Sequence, residues 1–387
     1  MTRSSILVLG GGCFGLTAAL ELRARGWEVT LVDQGRIPHP DAASTDISKV
    51  VRMDYGADEQ HTAMGEAAIA VWRERNSKWG ETLFHEDGLL VISRALLRPG
   101  TFEGDSFALL SARGHTLQRI SRETLREKHP VWDARRFNDG YLNPKAGWVE
   151  SGRVIVRLAI EARAAGVKVV ESVAAPRPLF DGARCVGIES GDGVRWLADQ
   201  VLVAAGAWTP VLLPHLRDMM WATAQSVFHF KPREPQPFTP PEFPVWFAEI
   251  GSSGWYGFPA NADGIVKVAD HGPGRRVSAN DARAMPEGEE ARYRAFLSET
   301  FPSLADAPVV ATRVCLYCDT FDYAFWIDHD PQHSGLIVAA GDSGHGLKFT
   351  PILGGIIADV VERKPNPWVG RYRWRERPGG FAAGARS

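Results

Sequence analysis

The hydrophobic pattern at the start of the chain predicts a strand, a helix and a second strand in direct succession. Residues 6–9 form a short apolar run, which is typical of a strand buried on both faces. Gly26 ends the helix, and residues 29–32 form the second apolar run. The helix itself carries apolar residues at helical spacing: Leu16, Ala19, Leu20 and Leu22. Together these segments predict a β–α–β unit of a parallel sheet.

Three glycines stand between the first predicted strand and the helix, at the spacing G-x-G-x-x-G. Gly10 permits the tight turn, Gly12 lets a diphosphate approach the backbone, and Gly15 lets the helix pack closely on the strand. Asp33 closes the second strand, where its carboxylate can accept hydrogen bonds from a ribose hydroxyl. The arrangement predicts a dinucleotide site, but it does not choose between NAD and FAD.

Later segments show the same periodicities. The predicted helices lie at 62–79, in the capped segment SRETLREKHP and at 154–165. The predicted strands lie in LLVI at 89–92, after the turn HEDG, in VKVVESV and at 196–205. From residue 219 to 311 apolar and polar residues alternate, which predicts antiparallel strands of a second domain with one helix at 287–301. The succession LIVAAG, DSGHGLKF and ILGGIIADVVE then predicts a second strand, glycine turn and helix.

Composition narrows the classes of function. A chain of 387 residues with 44% hydrophobic and 23% charged residues fits a globular protein of two domains or of one large interleaved domain. Its net charge of -2 argues against a nucleic-acid partner or an anionic membrane surface. No apolar run is long enough to span a bilayer. Residues 6–9 belong to the first strand and are not expected to be a cleaved signal, so we expect a cytoplasmic protein.

The four cysteines are too few and too scattered for a disulfide framework: Cys13, Cys185, Cys315 and Cys318. Cys315 and Cys318 stand at the spacing C-x-x-C, which also occurs in zinc and redox sites. No second pair of cysteines or histidines at zinc-ligand spacing accompanies them, so we expect no metal site here.

The loop after Asp33 offers hydroxyls at Ser44 and Thr45 and cations at Lys49 and Arg52. The two cations are three residues apart, so on a helical turn they would share one face. The alternative is a solvated basic turn without a ligand. The residue types alone leave both interpretations open.

The strand that ends in AAGAW is a second candidate for contact with a nucleotide. Its small residues, Gly206 among them, allow a close approach to the backbone, and Trp208 is placed to cover a bound group. The alternative is an ordinary strand-to-helix turn, and the pattern does not decide between the two.

The most specific family signal is the sequence RVCLYCDTFDYAFWIDHDPQHSGLIVAAGDSGHGLKFT at residues 313–350. It resembles the flavoprotein amine oxidases of the monomeric sarcosine oxidase and fructosyl-amino-acid oxidase (amadoriase) family. The shared elements are C-[LMW]-[YC], I-D-x-[HD]-P and G-x-S-G-[HR]-G-[FL]-K. The resemblance covers nearly the whole chain, because the glycine turn, the loop at 45–56, AAGAW, WYGFP and GIVKVADH follow in family order.

The resemblance implies FAD as the cofactor. Cys315 matches the cysteine that holds FAD through a thioether at the flavin 8α carbon, and Lys49 takes the place of an arginine close to the flavin ring. Val173 matches a backbone contact to the adenosine part. The full set of residues expected at the cofactor is Gly10, Gly12, Cys13, Phe14, Gly15, Asp33, Ser44, Thr45, Lys49, Val173, Gly206, Trp208, Cys315, Gly341, Gly344, His345, Gly346 and Lys348.

The resemblance also implies five catalytic or substrate-binding residues. Lys267 matches the lysine that promotes the reaction with oxygen, and Arg52 and Lys348 match the cations that bind the substrate carboxylate. Tyr256 and His271 match residues that line the substrate cavity. A fixed positive charge lowers the barrier to oxygen reduction, and a carboxylate needs cations, so the residue types suit these roles. Without the family, the alternative is that Lys267 is a lysine on the surface of a sheet.

Three departures pull the expected substrate away from sarcosine and toward a larger one. Thr45 replaces a histidine found in sarcosine oxidases. Asp270 precedes His271 where sarcosine oxidases have an aromatic residue and amadoriases have an acidic one. The tail RYRWRERPGG resembles the amadoriase C-terminus, in which Arg375 is the candidate for carboxylate binding. Five aromatic residues either wall the cavity or belong to the core: Phe228, Phe230, Trp246, Phe247 and Trp255.

Period-two alternation places Cys315 and Cys318 on opposite faces of a strand, so only one of them can reach a flavin. Cys13 lies in the phosphate turn, at the other end of the cofactor, and Cys185 lies in a segment typical of a sheet edge. We therefore expect one covalent flavin per chain, through Cys315. The alternative is that Cys315 is a small buried hydrophobic residue.

The sequence thus predicts an α/β fold in which a Rossmann-like FAD-binding domain is interleaved with an antiparallel-sheet substrate domain, of the D-amino-acid oxidase or glutathione-reductase-2 type. The FAD-binding domain takes residues 1–83, 146–217 and 320–370, the substrate domain takes 84–145 and 218–319, and 371–387 form a tail. The expected reaction oxidises the secondary amine of an N-substituted amino acid to an imine and reduces O₂ to H₂O₂. The alternatives are a fructosyl-amino-acid oxidase, an amine dehydrogenase with a carrier protein, and a non-catalytic flavin-binding protein. A monomer is expected.

Overall fold

The computed structural model describes residues 4–378, so the last part of the predicted tail, 379–387, lies outside the described residues. The α-helices within this range are α1 (Cys13–Ala24), α2 (Glu59–Trp79), α3 (Phe102–Ala112), α4 (Arg122–Lys128), α5 (Ser151–Ala164), α6 (Thr209–Leu212), α7 (Glu289–Thr300) and α8 (Thr350–Val361). Short 3₁₀ helices lie at Ala134–Arg136, Gly206–Trp208, Pro214–Leu216, Gln236–Phe238, Pro302–Leu304, Leu347–Phe349 and Val369–Tyr372.

The strands in the same range follow in chain order. They are β1 (Ser5–Leu9), β2 (Glu28–Val32), β3 (Lys49–Val51), β4 (Phe84–His85), β5 (Leu89–Ser93), β6 (Gln118–Arg119), β7 (Asp139–Asn143), β8 (Gly147–Val149), β9 (Lys168–Val170), β10 (Arg177–Asp181), β11 (Arg184–Glu189), β12 (Arg195–Leu197), β13 (Gln200–Val203), β14 (Met220–Phe230), β15 (Val245–Ala248), β16 (Trp255–Phe258), β17 (Val266–Asp270), β18 (Arg275–Val277), β19 (Val309–Thr320), β20 (Trp326–His329) and β21 (Leu336–Ala340).

The N-terminal β–α–β unit lies at the centre of a six-stranded sheet with the strand order β20-β21-β13-β1-β2-β9. β1 pairs in parallel with β2 and with β13, so Leu9 lies beside both Val32 and Val203. Alternate residues of β1 enter different core clusters, which confirms a strand buried on both faces. The carboxyl ends of β1, β2, β13 and β21 meet at one edge of this sheet, where α/β proteins bind their ligands.

A nine-stranded sheet forms the second layer, with the order β18-β14-β17-β16-β15-β5-β7-β6 and with β19 paired to β14. Its strands come from residues 89–143 and 220–320. The predicted antiparallel pairing holds for most neighbours, but β15 pairs with β5 in parallel. The parallel pair arises because β5 and β15 come from separate parts of the chain and are not joined by a hairpin.

Aromatic side chains form the core on the outer face of this sheet. Trp246 packs edge to face on Trp132 at 5.6 Å between ring centroids and stacks on Phe296 at 5.9 Å. Trp255 also stacks on Phe296, at 4.2 Å. Because α7 and the segment around Trp132 cover these rings, they stabilise the second layer.

Two sequence-based predictions of local structure are wrong in detail. The segment at 196–205 is not one strand: β12 belongs to a three-stranded sheet with β10 and β11, and β13 belongs to the six-stranded sheet. Lys49 does not lie on a helical turn with Arg52, because Lys49 begins β3, which pairs with β8. In both cases the partner strand comes from another part of the chain. No helix among residues 4–378 is both long enough and apolar enough to cross a membrane.

Gly354 and Gly355 stand side by side in α8 and offer a matched test of its packing on α1. A Cβ on Gly354 would lie 2.5 Å from the carbonyl oxygen of Thr17, whereas a Cβ on Gly355 would have no neighbour within 4 Å. We expect Gly354→Ala to lower the free energy of unfolding by about 1–3 kcal/mol through overpacking. Gly355→Ala should leave it unchanged or raise it by up to about 1 kcal/mol. Urea unfolding followed by circular dichroism measures both, and the reverse order of stability would contradict this packing.

Candidate active site

A cavity lies at the edge where the carboxyl ends of the parallel strands meet, and it encloses about 1120 Å³ of space, part of it open to solvent. The residues predicted for the cofactor that line it are Gly10, Gly12, Cys13, Phe14, Asp33, Ser44, Lys49, Gly206, Trp208, Gly344 and Gly346. Trp208 and the AAGAW turn therefore border a cavity and are more than a connection between two elements.

The glycine turn packs too closely on the neighbouring backbone to admit side chains at Gly10 and Gly15. A Cβ on Gly10 would lie 2.5 Å from the carbonyl oxygen of Ala204, and a Cβ on Gly15 would lie 1.9 Å from the carbonyl oxygen of Gly10. Gly12 is the N-cap of α1 and supplies no side-chain hydrogen bond to the first turn of the helix. The first N–H groups of α1 therefore remain available to a diphosphate.

Asp33 stands at the end of β2, as predicted, and it also holds the turn. Its carboxylate accepts hydrogen bonds from the N–H of Gly11 at 2.6 Å and the N–H of Gly35 at 2.8 Å. Burial raises the pKa of this carboxyl group above its usual value. A carboxylate with one N–H on each oxygen retains lone pairs for a ribose hydroxyl. The donors, the glycine cradle and the carboxylate together fit FAD.

A second cavity of about 510 Å³ adjoins the first and shares Lys49, Gly344 and Leu347 with it. Four of the five predicted catalytic residues line this second cavity: Arg52, Lys348, Tyr256 and His271. The remaining wall is largely apolar and includes Phe247, Ile250 and Phe258. Of the five aromatic residues considered from the sequence, Phe247 alone lines this cavity. Phe228, Phe230 and Trp246 belong to the core, and Trp255 packs against it.

Arg52 is a buried cation that forms no ion pair with a carboxylate in the part of the chain that the structure describes. Its side chain is held between rings, with Cζ 4.1 Å from the centroid of Tyr55 and 5.4 Å from that of Phe247. Its Nε and Nη1 atoms are buried and have no hydrogen-bond partner. A buried guanidinium in this state is costly unless a ligand supplies acceptors.

Lys348 brings a second buried cation to the same cavity. Its ammonium donates a hydrogen bond to the carbonyl oxygen of His345 at 2.7 Å and forms no ion pair within the described residues. Burial lowers the pKa of Lys348 well below its usual value, and the nearby charge of Arg52 lowers it further. Burial likewise lowers the pKa of His345, whose Nδ1 lies 3.1 Å from the hydroxyl of Tyr55.

Tyr256 and His271 meet at Tyr317. The hydroxyl of Tyr317 lies 3.5 Å from the hydroxyl of Tyr256 and 3.5 Å from Nδ1 of His271. Tyr317 also borders the cofactor cavity. Tyr317 was not predicted from the sequence as a residue of the site, although Tyr317 lies two residues after Cys315 and therefore on the same face of β19.

Lys267 is completely buried and lines neither cavity. Its ammonium lies 4.7 Å from the ring centroid of Phe258, which lines the second cavity. The ammonium donates hydrogen bonds to Oδ2 of Asp46 at 2.6 Å and to the carbonyl oxygen of Ser48 at 2.6 Å. Burial lowers the pKa of Lys267 to about 8, although Asp46 opposes this shift. Lys267 is therefore still mainly a cation at neutral pH.

Asp46 is a second residue of the site, besides Tyr317, that was not predicted from the sequence. Its Oδ2 lies 3.9 Å from the ammonium of Lys49, and its Oδ1 lies 3.4 Å from Nε2 of His229. Burial alone would raise the pKa of Asp46, but Lys267 and these neighbours hold it well below its usual value. Asp46 precedes Lys49 by three residues, yet nothing in its own segment indicates that Lys267 is its partner.

Cys315 and Cys318 face opposite sides of β19, as predicted. The Sγ atom of Cys315 lies 3.8 Å from the ammonium of Lys49, which borders both cavities. The Sγ atom of Cys318 lies 4.0 Å from the sulfur of Met220, in a different core cluster. The thiol of Cys315 is therefore on the side where a cofactor would lie.

Several predicted residues lie away from the cavity walls. The backbone N–H of Val173 donates to the carbonyl oxygen of Asp33 at 3.0 Å. Gly15 packs α1 against the turn, and the side-chain oxygen of Thr45 is buried without a partner. Gly341, His345, Lys348 and Cys315 also lie outside the lining of the cofactor cavity, although His345 and Lys348 line the second cavity.

Arg375 does not reach the second cavity. Its guanidinium donates to both carboxylate oxygens of Asp322, at 2.7 and 2.6 Å, and to the carbonyl oxygens of Ala324 and Phe325. Arg375 thus binds the tail to the segment before β20. The suggestion that Arg375 binds a substrate carboxylate is not supported, because an acid of the chain already occupies its donors.

A family model described as FAD dependent oxidoreductase (DAO) matches residues 5–360. Monomeric sarcosine oxidase from Bacillus sp. (strain B-0618) is 26% identical over 367 residues, which cover 93% of this chain and 92% of that protein. L-saccharopine oxidase from Schizosaccharomyces pombe is 28% identical over 415 residues, which cover 96% of this chain and 93% of that protein.

The crystal structure of amadoriase I from Aspergillus fumigatus, a fructosyl amine: oxygen oxidoreductase, has a similar fold. Its TM-score is 0.82 at 27% identity, and the match covers 97% of this chain and 90% of that one. The family model and this structure confirm the predicted FAD-binding fold and the resemblance on which it rested.

The charge of Asp46 can be tested by its amide. Asp46→Asn leaves the buried ammonium of Lys267 without its counter-charge, so we expect the free energy of unfolding to fall by about 3–5 kcal/mol at neutral pH. The double variant Asp46→Asn/Lys267→Met should recover part of this loss, because it also removes the uncompensated cation. Urea unfolding of the single and double variants measures the coupling, with the exposed Asp263→Asn as the control. Unfolding of Asp46→Asn at the parent's urea concentration would contradict this account.

Proposed function

The chain belongs to the family of FAD dependent oxidoreductases, and on this basis we propose that it oxidises the secondary amine of an N-substituted amino acid. The product is an imine, which hydrolyses, and O₂ is reduced to H₂O₂. The sarcosine oxidase, the L-saccharopine oxidase and the amadoriase among its relatives are named as oxidases, which supports an amine oxidase activity.

The substrate class rests on one observation: two basic side chains, Arg52 and Lys348, are buried at one cavity, and neither forms an ion pair within residues 4–378. Charges of equal sign in a shared apolar pocket repel each other and are costly to bury. A ligand carboxylate would relieve both costs, and the planar guanidinium provides paired donors for it. An amino acid with its carboxylate at this point suits the cavity better than a simple amine does.

FAD, when bound, would accept a hydride from the substrate and pass electrons to oxygen. The turn at Gly10 and Gly12, the N-terminus of α1 and Asp33 would hold its nucleotide part, and the segment at 344–346 borders both cavities. The chain's own contribution is position and charge. Arg52 and Lys348 orient the carboxylate, and their charges disfavour an ammonium group, so the amine is bound without its extra proton.

Lys267 contributes a fixed positive charge that the substrate does not touch. Its ammonium is held by Asp46 and Ser48 and lies behind Phe258, which walls the second cavity. Negative charge develops on oxygen as it is reduced, and a preorganised cation stabilises that charge. We therefore assign to Lys267 the promotion of the oxygen reaction.

The walls of the second cavity favour an apolar or cyclic substituent on the amine nitrogen. Phe247, Ile250 and Phe258 line this cavity, and an apolar substituent would bury its surface against them. A second candidate is a fructosyl-amino-acid oxidase, because the amadoriase structure matches 97% of this chain. We also propose that the protein is a monomer in the cytoplasm and that it is divided into two interleaved domains.

A peroxide-coupled screen separates these candidates. The purified protein is offered N-methyl, cyclic and fructosyl amino acids in air, and peroxide is measured. We expect turnover with an N-methyl or cyclic amino acid to exceed turnover with the fructosyl amino acids. The opposite ranking would favour deglycation. If no compound is turned over and none bleaches the flavin under anaerobic conditions, the result would favour a protein that only binds flavin.

Neutralising either cation should weaken substrate binding. We expect Arg52→Met or Lys348→Met to raise KM by a factor that corresponds to about 1.5–3 kcal/mol, the range of a charge-assisted hydrogen bond. The amide of the same substrate should be poor for the parent and should show little further loss in the variants. Steady-state kinetics measures both, with Arg375→Met as the matched arginine control. Equal turnover of acid and amide by the parent would refute carboxylate binding.

Replacing Lys267 should separate the two half-reactions. We expect Lys267→Met to leave anaerobic reduction by substrate largely intact and to slow the reaction with oxygen by orders of magnitude. Since the pKa of Lys267 is about 8, its charge is lost as pH rises through that value, so the parent's oxygen reaction should slow above pH 8. The variant should lack this pH dependence. Stopped-flow absorbance measures both steps, and an unchanged oxygen rate in the variant would show that Lys267 does not promote the oxygen reaction.

The attachment of the cofactor can be read from the denatured protein. We expect one flavin bound through Cys315, so its yellow colour and fluorescence should stay with the polypeptide in acid or detergent. Cys315→Ala should release the flavin or yield apoprotein, whereas Cys318→Ala, on the other face of β19, should not. Free flavin in the supernatant of the denatured parent would show that FAD is bound without a covalent link.

A further inference from the structure

A cluster of three side chains lies outside both cavities, at the opposite end of the six-stranded sheet. His215 belongs to the 3₁₀ helix Pro214–Leu216, and Asp330 and His333 lie in the turn between β20 and β21. One potential ligand atom from each of the three residues lies within 4.8 Å of the other two. The mechanism proposed above uses none of these residues.

The carboxylate of Asp330 is a buried negative charge without a permanent cation. Its side chain has no exposed surface, and no lysine or arginine lies within ion-pair distance of it in the described residues. Oδ1 accepts hydrogen bonds from the N–H of Gln332 at 2.8 Å and the N–H of His333 at 3.0 Å. These two bonds fix the carboxylate in place but do not neutralise it.

The two imidazoles supply the remaining contacts. Nε2 of His215 lies 2.7 Å from Oδ2 of Asp330, and Nδ1 of His333 lies 3.3 Å from Oδ1. The histidine side chains are 21% and 25% exposed, so an ion in solution can reach them. The ring of Phe180 lies 4.8 Å from that of His333, and the ring of Trp374 lies 6.2 Å from that of His215. These aromatic neighbours restrict how far the imidazoles can turn.

We propose that His215, Asp330 and His333 form a binding site for one divalent transition-metal ion of the Zn²⁺ type. Two imidazoles and a carboxylate from different elements are a donor set that Zn²⁺ accepts, with the fourth position left to water. Ligand atoms about 2.1 Å from one tetrahedral ion are about 3.4 Å apart, and the three atoms here lie within 4.8 Å of one another. The ion would supply the positive charge that Asp330 lacks.

The site is separate from the catalytic centre. β21 starts at Leu336, whose carbonyl oxygen accepts a hydrogen bond from the N–H of Asp330, and ends at Ala340, which borders the cofactor cavity. Four steps along a strand put about 13 Å between these ends. A bound ion would join the 3₁₀ helix to the turn, and through Trp374 it would touch the tail. Its role is therefore to hold these segments together.

The alternative is that the two imidazoles hold Asp330 by hydrogen bonds alone and that no ion binds. Binding of Zn²⁺, and its protection of the two histidines, distinguish these cases.

Isothermal titration of the tag-free, EDTA-dialysed holoenzyme with ZnCl₂ tests the site. We expect one ion per chain, a rise in the thermal midpoint on saturation, and at least about a tenfold loss of affinity in each of His215→Ala, His333→Ala and Asp330→Asn. His85→Ala is the matched control, because His85 also pairs with a carboxylate, Glu150, but has no second histidine beside it. This control should bind Zn²⁺ like the parent.

Flavin content and turnover show whether the variants are folded, since the cluster lies outside the catalytic centre. Protection mapping on the unmodified chain provides a second measurement. Diethyl pyrocarbonate should modify His215 and His333 in the metal-free protein, and Zn²⁺ should protect both, as read by mass spectrometry. Absence of binding by the parent at about 100 µM ZnCl₂, or binding that survives in the double variant His215→Ala/His333→Ala without protection of these residues, would overturn the proposal.

Discussion

One buried carboxylate, that of Asp46, connects the parts of the molecule that form the two cavities. Its side chain binds Lys267 of β17, in the large sheet, and lies 3.9 Å from Lys49 of β3. Its carbonyl oxygen accepts hydrogen bonds from Ser151 Oγ at 2.9 Å and from the N–H of Gly152 at 2.8 Å, at the start of α5. Since the surrounding cations keep this carboxyl group ionised, one residue fixes a helix and two sheets at a common point.

The contrast between compensated and uncompensated cations then defines the site. Lys267 is buried with a carboxylate at 2.6 Å, so its charge is retained and fixed. Arg52 and Lys348 are buried nearly as deeply, but among the described residues neither forms an ion pair. The first arrangement is stable without a ligand and suits a permanent electrostatic role. The second is complete only when a ligand provides negative charge, which is the property expected of a binding site.

The same balance of charge distinguishes the two ends of the six-stranded sheet. Free N–H groups and buried cations lie at the carboxyl ends of its strands, where they can bind negative groups of a cofactor and a substrate. At the other end, beyond the start of β21, the excess is negative and lies on Asp330. The sheet and its helices form the rigid structure between these ends, and the unpaired charges lie where we propose that ligands bind.

The sequence by itself determined the elements whose signals are local. The glycine spacing and the apolar runs predicted the β–α–β unit, period two separated Cys315 from Cys318, and the family motifs brought forward Arg52 and Lys348. Only the tertiary structure gave Asp46 its role, because its partner Lys267 is 221 residues away. It also placed Lys49 on a strand rather than a helical turn, paired β15 with β5 in parallel, and bound Arg375 to Asp322. Each of these outcomes depends on a contact between distant segments, and periodicity reports only on neighbours along the chain.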